Sequence, residues 1–512
     1  MMAKQKLQST EPSAAAADLH QLARRGTSSA ALAQVGAQVT SLVVLGVLCR
    51  LIAPDKFGIY NTALLIVTLP RMFATLGLSA AAVQHPQLDD RQTMAFFRYQ
   101  LVLGFIAATV SAGVGLALNA IGGFRDVGFV SVVLAGTSVV LALGAQHQAL
   151  LERKLRIATV MRLRLTAQVV SGVVAIVLAW YGAGLWALVA QQYLELTIIT
   201  GLSWKCESWR PSRGLSAAEL PRLLTRSSQA SLALLFFHLA QNLDKFLLFM
   251  LIGQLMGGGA VVGMYNLAFN LMMRPVYLVT TPVTAVMLPA LSRALEVGQR
   301  NYQEFALGFF RIVAMALFPC SAGLWLVASD VTRVVGGVAW EESSWLLAAL
   351  APTILAQGLI NICGSLLISA SRYRDLMMGA AVVMLLQLQG HVAGVFLGRM
   401  FLEVSESQPG LGVARGMAVS YSTVLVLVVA IPYLRFALGT VGLGLSDLWR
   451  AIRSSLLATS SMTAVVWGLR QFLAAESCPV LVRLAASVVV GVGVYALIAR
   501  REIRAAIQIS TQ

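Results

Sequence analysis

Apolar runs of about 20 residues recur along the whole chain, separated by short stretches richer in Arg, Gly and Pro. A run of that length is what an α-helix needs to cross the hydrocarbon of a bilayer. Fourteen such runs are predicted as spanning helices, over residues 29–53, 58–82, 95–118, 127–150, 158–180, 183–203, 228–253, 263–287, 305–328, 344–370, 376–398, 413–436, 451–473 and 479–499. The fifth carries Arg162 and Arg164, and the seventh carries Asp244 and Lys245. Backbone N–H and C=O groups find no partner in lipid, so spans of this length are helical. No connecting stretch is long enough to form a core of its own. The expectation is an all-α, polytopic membrane protein of about fourteen spans.

The pattern also repeats on a larger scale. "FGIYNTALLIVTLP" at Phe57–Pro70 returns as "VGMYNLAFNLMMRP" at Val262–Pro275. Gly58, Tyr60, Asn61, Ala63 and Pro70 meet Gly263, Tyr265, Asn266, Ala268 and Pro275, each pair 205 residues apart. Thr75 and Thr280, then Ala80 and Ala285, keep the register, giving seven identities over 23 positions. Composition alone would give roughly two, and self-similarity at fixed register is a fold signal. The copies open the second and eighth predicted helices. An even number of spans separates them, so both point the same way across the membrane. This predicts a parallel repeat: two six-helix lobes related by an axis along the membrane normal, around a central cavity, plus two extra C-terminal helices. The expected organisation is an N-terminal arm (1–26), a first lobe (27–203), a linker (204–227), a second lobe (228–436), two added spans (437–499) and a tail (500–512).

Composition agrees with the pattern. The 512 residues are 58% hydrophobic and only 12% charged, with mean hydropathy +0.78. Soluble domains carry about 25% charged residues. The net charge of +16 raises nucleic acid as a partner. The cations instead cluster in the N-terminal arm, the even-numbered loops and the tail, as Arg153, Lys154 and Arg156 or Lys205, Arg210 and Arg213 illustrate. The odd loops hold few cations and the acids Glu341, Glu342, Glu403 and Glu406. That bias is the positive-inside pattern, so no nucleic-acid partner is expected and both termini are placed in the cytoplasm. Arg470 and Arg483, flanking the thirteenth loop, run against it. Five scattered cysteines form no metal or disulfide framework.

Candidate chemistry lies in polar positions inside the spans, where charge is expensive. The eighth helix carries Asn266, Asn270 and Arg274 at steps of four. The second carries Asn61, Thr68, Arg71 and Thr75, and the seventh His238, Gln241, Asn242 and Lys245. The tenth carries Gln357, Asn361, Ser365 and Ser369, and the sixth Gln191, Gln192 and Glu195. One reading is a water-filled, cationic cavity in which Arg71, Arg274 and Lys245 meet phosphate and Asn61, Asn266, Asn270 and Asn242 meet hydroxyls. The other is interhelical hydrogen bonding. Asp244 and Glu195 are candidates for a coupling ion, or compensate a neighbouring cation. Arg50, Arg98, Arg311, Arg415 and Arg435, near helix ends, are expected to snorkel to headgroups. Lone histidines imply no metal, and no cofactor is expected. No G-x-S-x-G, H-E-x-x-H or P-loop is present, and the external loops are too short for a catalytic site, so no enzyme is expected.

"RLIAPDKFG" (Arg50–Gly58), "LGLSAAAVQHPQL" (Leu76–Leu88), "NLDKFLL" from Asn242, and Gly263–Arg293 resemble segments of bacterial polysaccharide flippases. These form the polysaccharide branch of the multidrug/oligosaccharidyl-lipid/polysaccharide exporter superfamily. The resemblance implies alternating-access export of undecaprenyl-pyrophosphate-linked oligosaccharide from the cytoplasmic to the periplasmic leaflet of the inner membrane, for lipopolysaccharide or exopolysaccharide synthesis. Its implied partners are that lipid, the bilayer, and the glycosyltransferases and polymerase of the pathway. Two alternatives stay open: a multidrug exporter of the same superfamily, and a membrane-embedded polysaccharide polymerase or ligase.

Overall fold

The computed structural model describes residues 35–84, 89–154, 156–211, 247, 259–401, 410–475 and 478–500. Helices dominate these residues, with no strand among them. In chain order they are α1 (Val35–Leu51), α2 (Pro54–Gln84), α3 (Asp90–Asn119), α4 (Arg125–Ala135), α5 (Thr137–Arg153), α6 (Ile157–Trp180) and α7 (Leu185–Cys206). There follow α8 (Gly259–Val297), α9 (Gln299–Gly336), α10 (Ser343–Leu350), α11 (Thr353–Ser369) and α12 (Tyr373–Phe401). The last are α13 (Leu411–Thr423), α14 (Ile431–Gly439), α15 (Leu445–Ala475) and α16 (Val480–Ile498). Eight described helical segments are each long and apolar enough to span, and the bent pair α10–α11 makes a ninth. The protein is an all-α, multi-pass membrane protein. Asn242, Asp244, Lys245 and His238 of the predicted seventh span lie outside the described residues.

Local chemistry sets several boundaries. Asp89 caps α3: its carboxylate accepts from Gln92 N at 2.7 Å, and the Gln92 side chain returns to Asp89 N. Pro352 separates α10 from α11 with a 46° bend. Pro70 and Pro275, matched in the repeat, do not break their helices; α2 and α8 run through them. A π-helical stretch, Val424–Ala430, joins α13 to α14.

The helices fall into two groups. α2 packs on α3, α4 and α5; α4 and α5 pack on α7, and α6 packs on α7 and α5. α8 packs on α9, α10 and α11, and α10 and α11 connect onward to α13 and α14. The main contact between the groups is α2 against α8, the two copies of the repeated segment. The repeated glycines sit where they cross. A Cβ on Gly58 would lie 1.8 Å from the Gly259 carbonyl oxygen, and one on Gly263 would lie 2.1 Å from that of Pro54. Only a residue without a side chain permits that approach. Ala63 and Ala268, also matched, are both fully buried.

The last two helices dock on α9. Asp330, fully buried near the end of α9, receives Arg470 Nη1 on one oxygen and Arg483 Nε (2.9 Å) and Nη2 on the other. Tyr495 Oη donates to Met315 O at 2.8 Å. The two arginines that ran against the loop-charge pattern thus serve one carboxylate from α9.

Candidate substrate cavity

A cavity of about 300 Å³ lies between the groups, beneath the α2–α8 crossing. α8 contributes Asn270 and Arg274, α2 contributes Tyr60 and Asn61, α6 Gln168 and α7 Gln191. Apolar residues of α1, among them Leu48, complete the wall. Arg274 reaches across to α1, where its Nη1 donates to Gln38 Oε1 at 3.0 Å. Its partner there is a neutral amide, so the guanidinium charge is not cancelled by that contact. A fixed cation among four amides and a phenol suits an anionic group bearing hydroxyls.

One end of the cavity is sealed. Trp340, fully buried, donates its Nε1–H to Cys49 O at 2.8 Å and meets Phe57 edge-on at 5.2 Å. Arg50 Nη2 donates to Val334 O at 2.7 Å. With the Gly58–Gly263 crossing, these contacts join α1 and α2 to α8, α9 and the turn after α9. Arg50, exposed at the end of α1, thus also bridges the two groups. Arg415 likewise finds Glu342 at 2.7 Å and lies over Trp345.

Three of the predicted site residues meet here: Arg274, Asn270 and Asn61. Asn266 does not join them. It is buried, with Nδ2 donating to Val262 O at 3.0 Å. Eight residues turn a helix through about 800°, so Asn266 stands about 80° away from Arg274, enough to face the interior. Arg71 is also outside this wall; its Nη2 lies 3.5 Å from Thr68 Oγ1. Tyr60 Oη donates to Gln192 Oε1 at 3.3 Å. The α11 stripe serves packing at one end, where Ser369 Oγ pairs with Tyr302 Oη at 2.8 Å. Sequence reasoning missed Gln38 and Gln168, isolated amides in apolar runs that could have been flagged. It also missed Trp340, whose role depends on a contact 291 residues away.

Comparisons with known proteins agree with this architecture. Residues 47–345 match the model of the family described as polysaccharide biosynthesis protein. The chain is 23% identical to the lipopolysaccharide biosynthesis protein WzxC of Escherichia coli (strain K12), over 74% of this chain and 78% of that one. It is 22% identical to the succinoglycan biosynthesis transport protein ExoT of Rhizobium meliloti (strain 1021), over 67% of each. Among solved structures, the lipid II flippase MurJ in an inward closed conformation aligns over 93% of this chain and 99% of its own, with TM-score 0.71 and 12% identity. An inward-facing multidrug transporter of the MATE family aligns over 81% and 96%, with TM-score 0.58 and 15% identity. At those identities the structural likeness establishes the fold.

Proposed function

The chain belongs to the polysaccharide biosynthesis protein family, and from that premise we propose that it flips lipid-pyrophosphate-linked oligosaccharide repeat units across the bacterial inner membrane by alternating access. The observation that carries this reading is the cavity between α2 and α8, where Arg274 stands among Asn61, Asn270, Gln168 and Gln191. A pyrophosphate entering hydrocarbon loses its hydration at very large cost. A guanidinium fork and surrounding amides replace part of that shell. An acidic cavity would suit cationic drugs; Arg274 favours an anion instead.

The sealed end carries the Arg50–Lys56 and Arg333–Glu342 connections, which the loop charges assign to the periplasm. On that assignment the structure is closed outward, with both termini in the cytoplasm and the substrate arriving from that side. The volume of 300 Å³ lies at the low end for small-molecule sites, so it accommodates a headgroup portion rather than a repeat unit of several sugars. Turnover therefore requires the two groups to part at the Trp340 seal. Negative substrate leaving a negative cytoplasm gains about 2.3 kcal/mol per charge per 100 mV, which favours export. On this reading the two groups belong to the two six-helix lobes expected from the repeat, with α15 and α16 as the added pair.

The test is glycan export in a deletion strain. Wild-type protein restores it, and Arg274→Ala at equal membrane levels does not. Full export by Arg274→Ala would move the phosphate site elsewhere.

A further inference from the structure

Three partly buried arginines that tie helices together are held by carboxylates: Arg470 and Arg483 meet Asp330, and Arg415 meets Glu342 at 2.7 Å. Arg274 departs from that pattern. It is partly buried on α8, and its Nη1 donates at 3.0 Å to Oε1 of Gln38, a neutral amide on α1. Among the described residues it has no ion pair.

The bond has a definite place. Gln38 precedes Cys49 by eleven residues on α1, and Arg274 follows Gly263 by eleven on α8. Eleven residues of helix rise about 16 Å. The bond thus joins the two groups at the end of the cavity away from the Trp340 seal. Ser41, one turn beyond Gln38 on the same face of α1, lines the wall, and Gln38 itself does not. Gln38 therefore grips the cation from outside the space a ligand fills.

A guanidinium has five N–H donors. The bond to Gln38 uses one on Nη1 and leaves the Nε–Nη2 edge whole, an edge that meets phosphate oxygens in pairs. An arginine side chain carries large rotamer freedom, and a ligand that must first order it binds more weakly. A carboxylate at position 38 would anchor the side chain equally well. It would also bring a full negative charge against the cation and repel an entering phosphate. An amide anchors without cancelling.

We propose that Gln38 is a positioning residue: it holds the Arg274 guanidinium at the end of the cavity away from the seal, charge intact, with its fork set for an anionic headgroup. The inference rests on the phosphate-binding role proposed for Arg274 and adds that the anchor must be neutral.

Full-length protein in detergent is titrated with undecaprenyl pyrophosphate, and with uncharged undecaprenol as the reference for tail binding. Bound lipid is read by native mass spectrometry, and folding by the thermal midpoint. Wild type is expected to prefer the pyrophosphate, and Arg274→Ala to lose that preference. Gln38→Glu, nearly isosteric, is expected to keep or raise the midpoint while weakening pyrophosphate binding by more than about tenfold. Gln38→Leu, which keeps the charge and loses the anchor, weakens it about fivefold, the worth of one net hydrogen bond. In an Arg274→Lys background there is no fork to orient, so Gln38→Leu adds less than about twofold there. If Gln38→Leu does not fold, Gln38→Asn, one methylene shorter, takes its place. Wild-type pyrophosphate affinity in Gln38→Glu, or the same roughly fivefold further loss from Gln38→Leu in the Arg274→Lys background, overturns the positioning role and leaves Arg274 as the phosphate-binding group. No preference for the pyrophosphate in wild type, or an undiminished one in Arg274→Ala, overturns the reading beneath it and the inference with it.

Discussion

Gly58→Ala adds one methyl group at the crossing of α2 and α8. In the structure that Cβ would lie 1.8 Å from the Gly259 carbonyl oxygen. A carbon meets a carbonyl oxygen at about 3.3 Å, so the backbones must separate by about 1.5 Å. Alanine favours a helix over glycine by roughly 0.5–1 kcal/mol, so α2 itself is not weakened. The cost falls on the crossing, and overpacking of this kind costs about 1–3 kcal/mol. It is borne only by the state in which this end is sealed. A difference of about 1–3 kcal/mol shifts a two-state balance about 5- to 150-fold toward the state with the seal parted. Cys49 reports the shift: it is 3% exposed and its carbonyl accepts the Trp340 indole. In a protein whose other four cysteines are serine, the labelling rate of Cys49 by an impermeant maleimide added from outside is expected to rise by that factor. Gly113→Ala is the control, since no atom lies within 4 Å of its Cβ. Unchanged Cys49 labelling in folded Gly58→Ala protein would refute the argument that this crossing closes the outer end.

Arg274→Lys, which keeps the charge and loses the fork, should restore part of the export lost in Arg274→Ala, whereas Arg71→Ala should lower protein level more than turnover per molecule. Asp330→Asn leaves two partly buried guanidiniums without their carboxylate, and a loss of about 3–5 kcal/mol is expected as a lower thermal midpoint. Burial pushes the Glu207 carboxyl upward, but the Lys154 and backbone hydrogen bonds outweigh it and hold the group below its ordinary value of 4.5. Its contribution is therefore complete above that value and is lost as pH falls through the lower folded value; Glu207→Gln should destabilise at neutral pH and match wild type in strong acid. Asp244→Asn and Glu195→Gln test ion coupling: loss of ion dependence with intact insertion in one of them supports it, and normal ion-dependent export in both removes it.

Much of the fold was readable from apolar run length, because lipid leaves the backbone one way to satisfy itself. The crossing was visible only as repeated glycines, without the contact that explains them. Site residues were less legible. Steps of four put Asn266 and Arg274 on one nominal face, yet the 80° drift over two steps separates them, and periodicity alone does not say where a cavity wall ends. For Arg50 and Arg415 the sequence offered helix-end position and not the protein partners they also have. Their partners, Val334 O and Glu342, lie 284 and 73 residues away. Arg470 and Arg483 looked like exceptions to a topology rule until Asp330 supplied the reason.

The two copies of the repeated segment also differ in an informative way. Where they agree, they build the crossing: Gly58 and Gly263 touch the partner's backbone, and Ala63 and Ala268 are buried. Where they differ, they set the charge of the cavity. Asn270 and Arg274 stand 205 residues after Leu65 and Leu69, so the cation and its neighbouring amide come from α8 alone. Matched Asn61 and Asn266 divide as well, one on the wall and one bonded to its own helix. A symmetric pair of guanidiniums facing each other across 300 Å³ would repel and would bind a diphosphate too tightly to release it. On the proposed reading, one cation among neutral amides attracts the headgroup without holding it too tightly. Near-symmetry builds the crossing at the sealed end, and asymmetry below it distinguishes the two walls of the cavity.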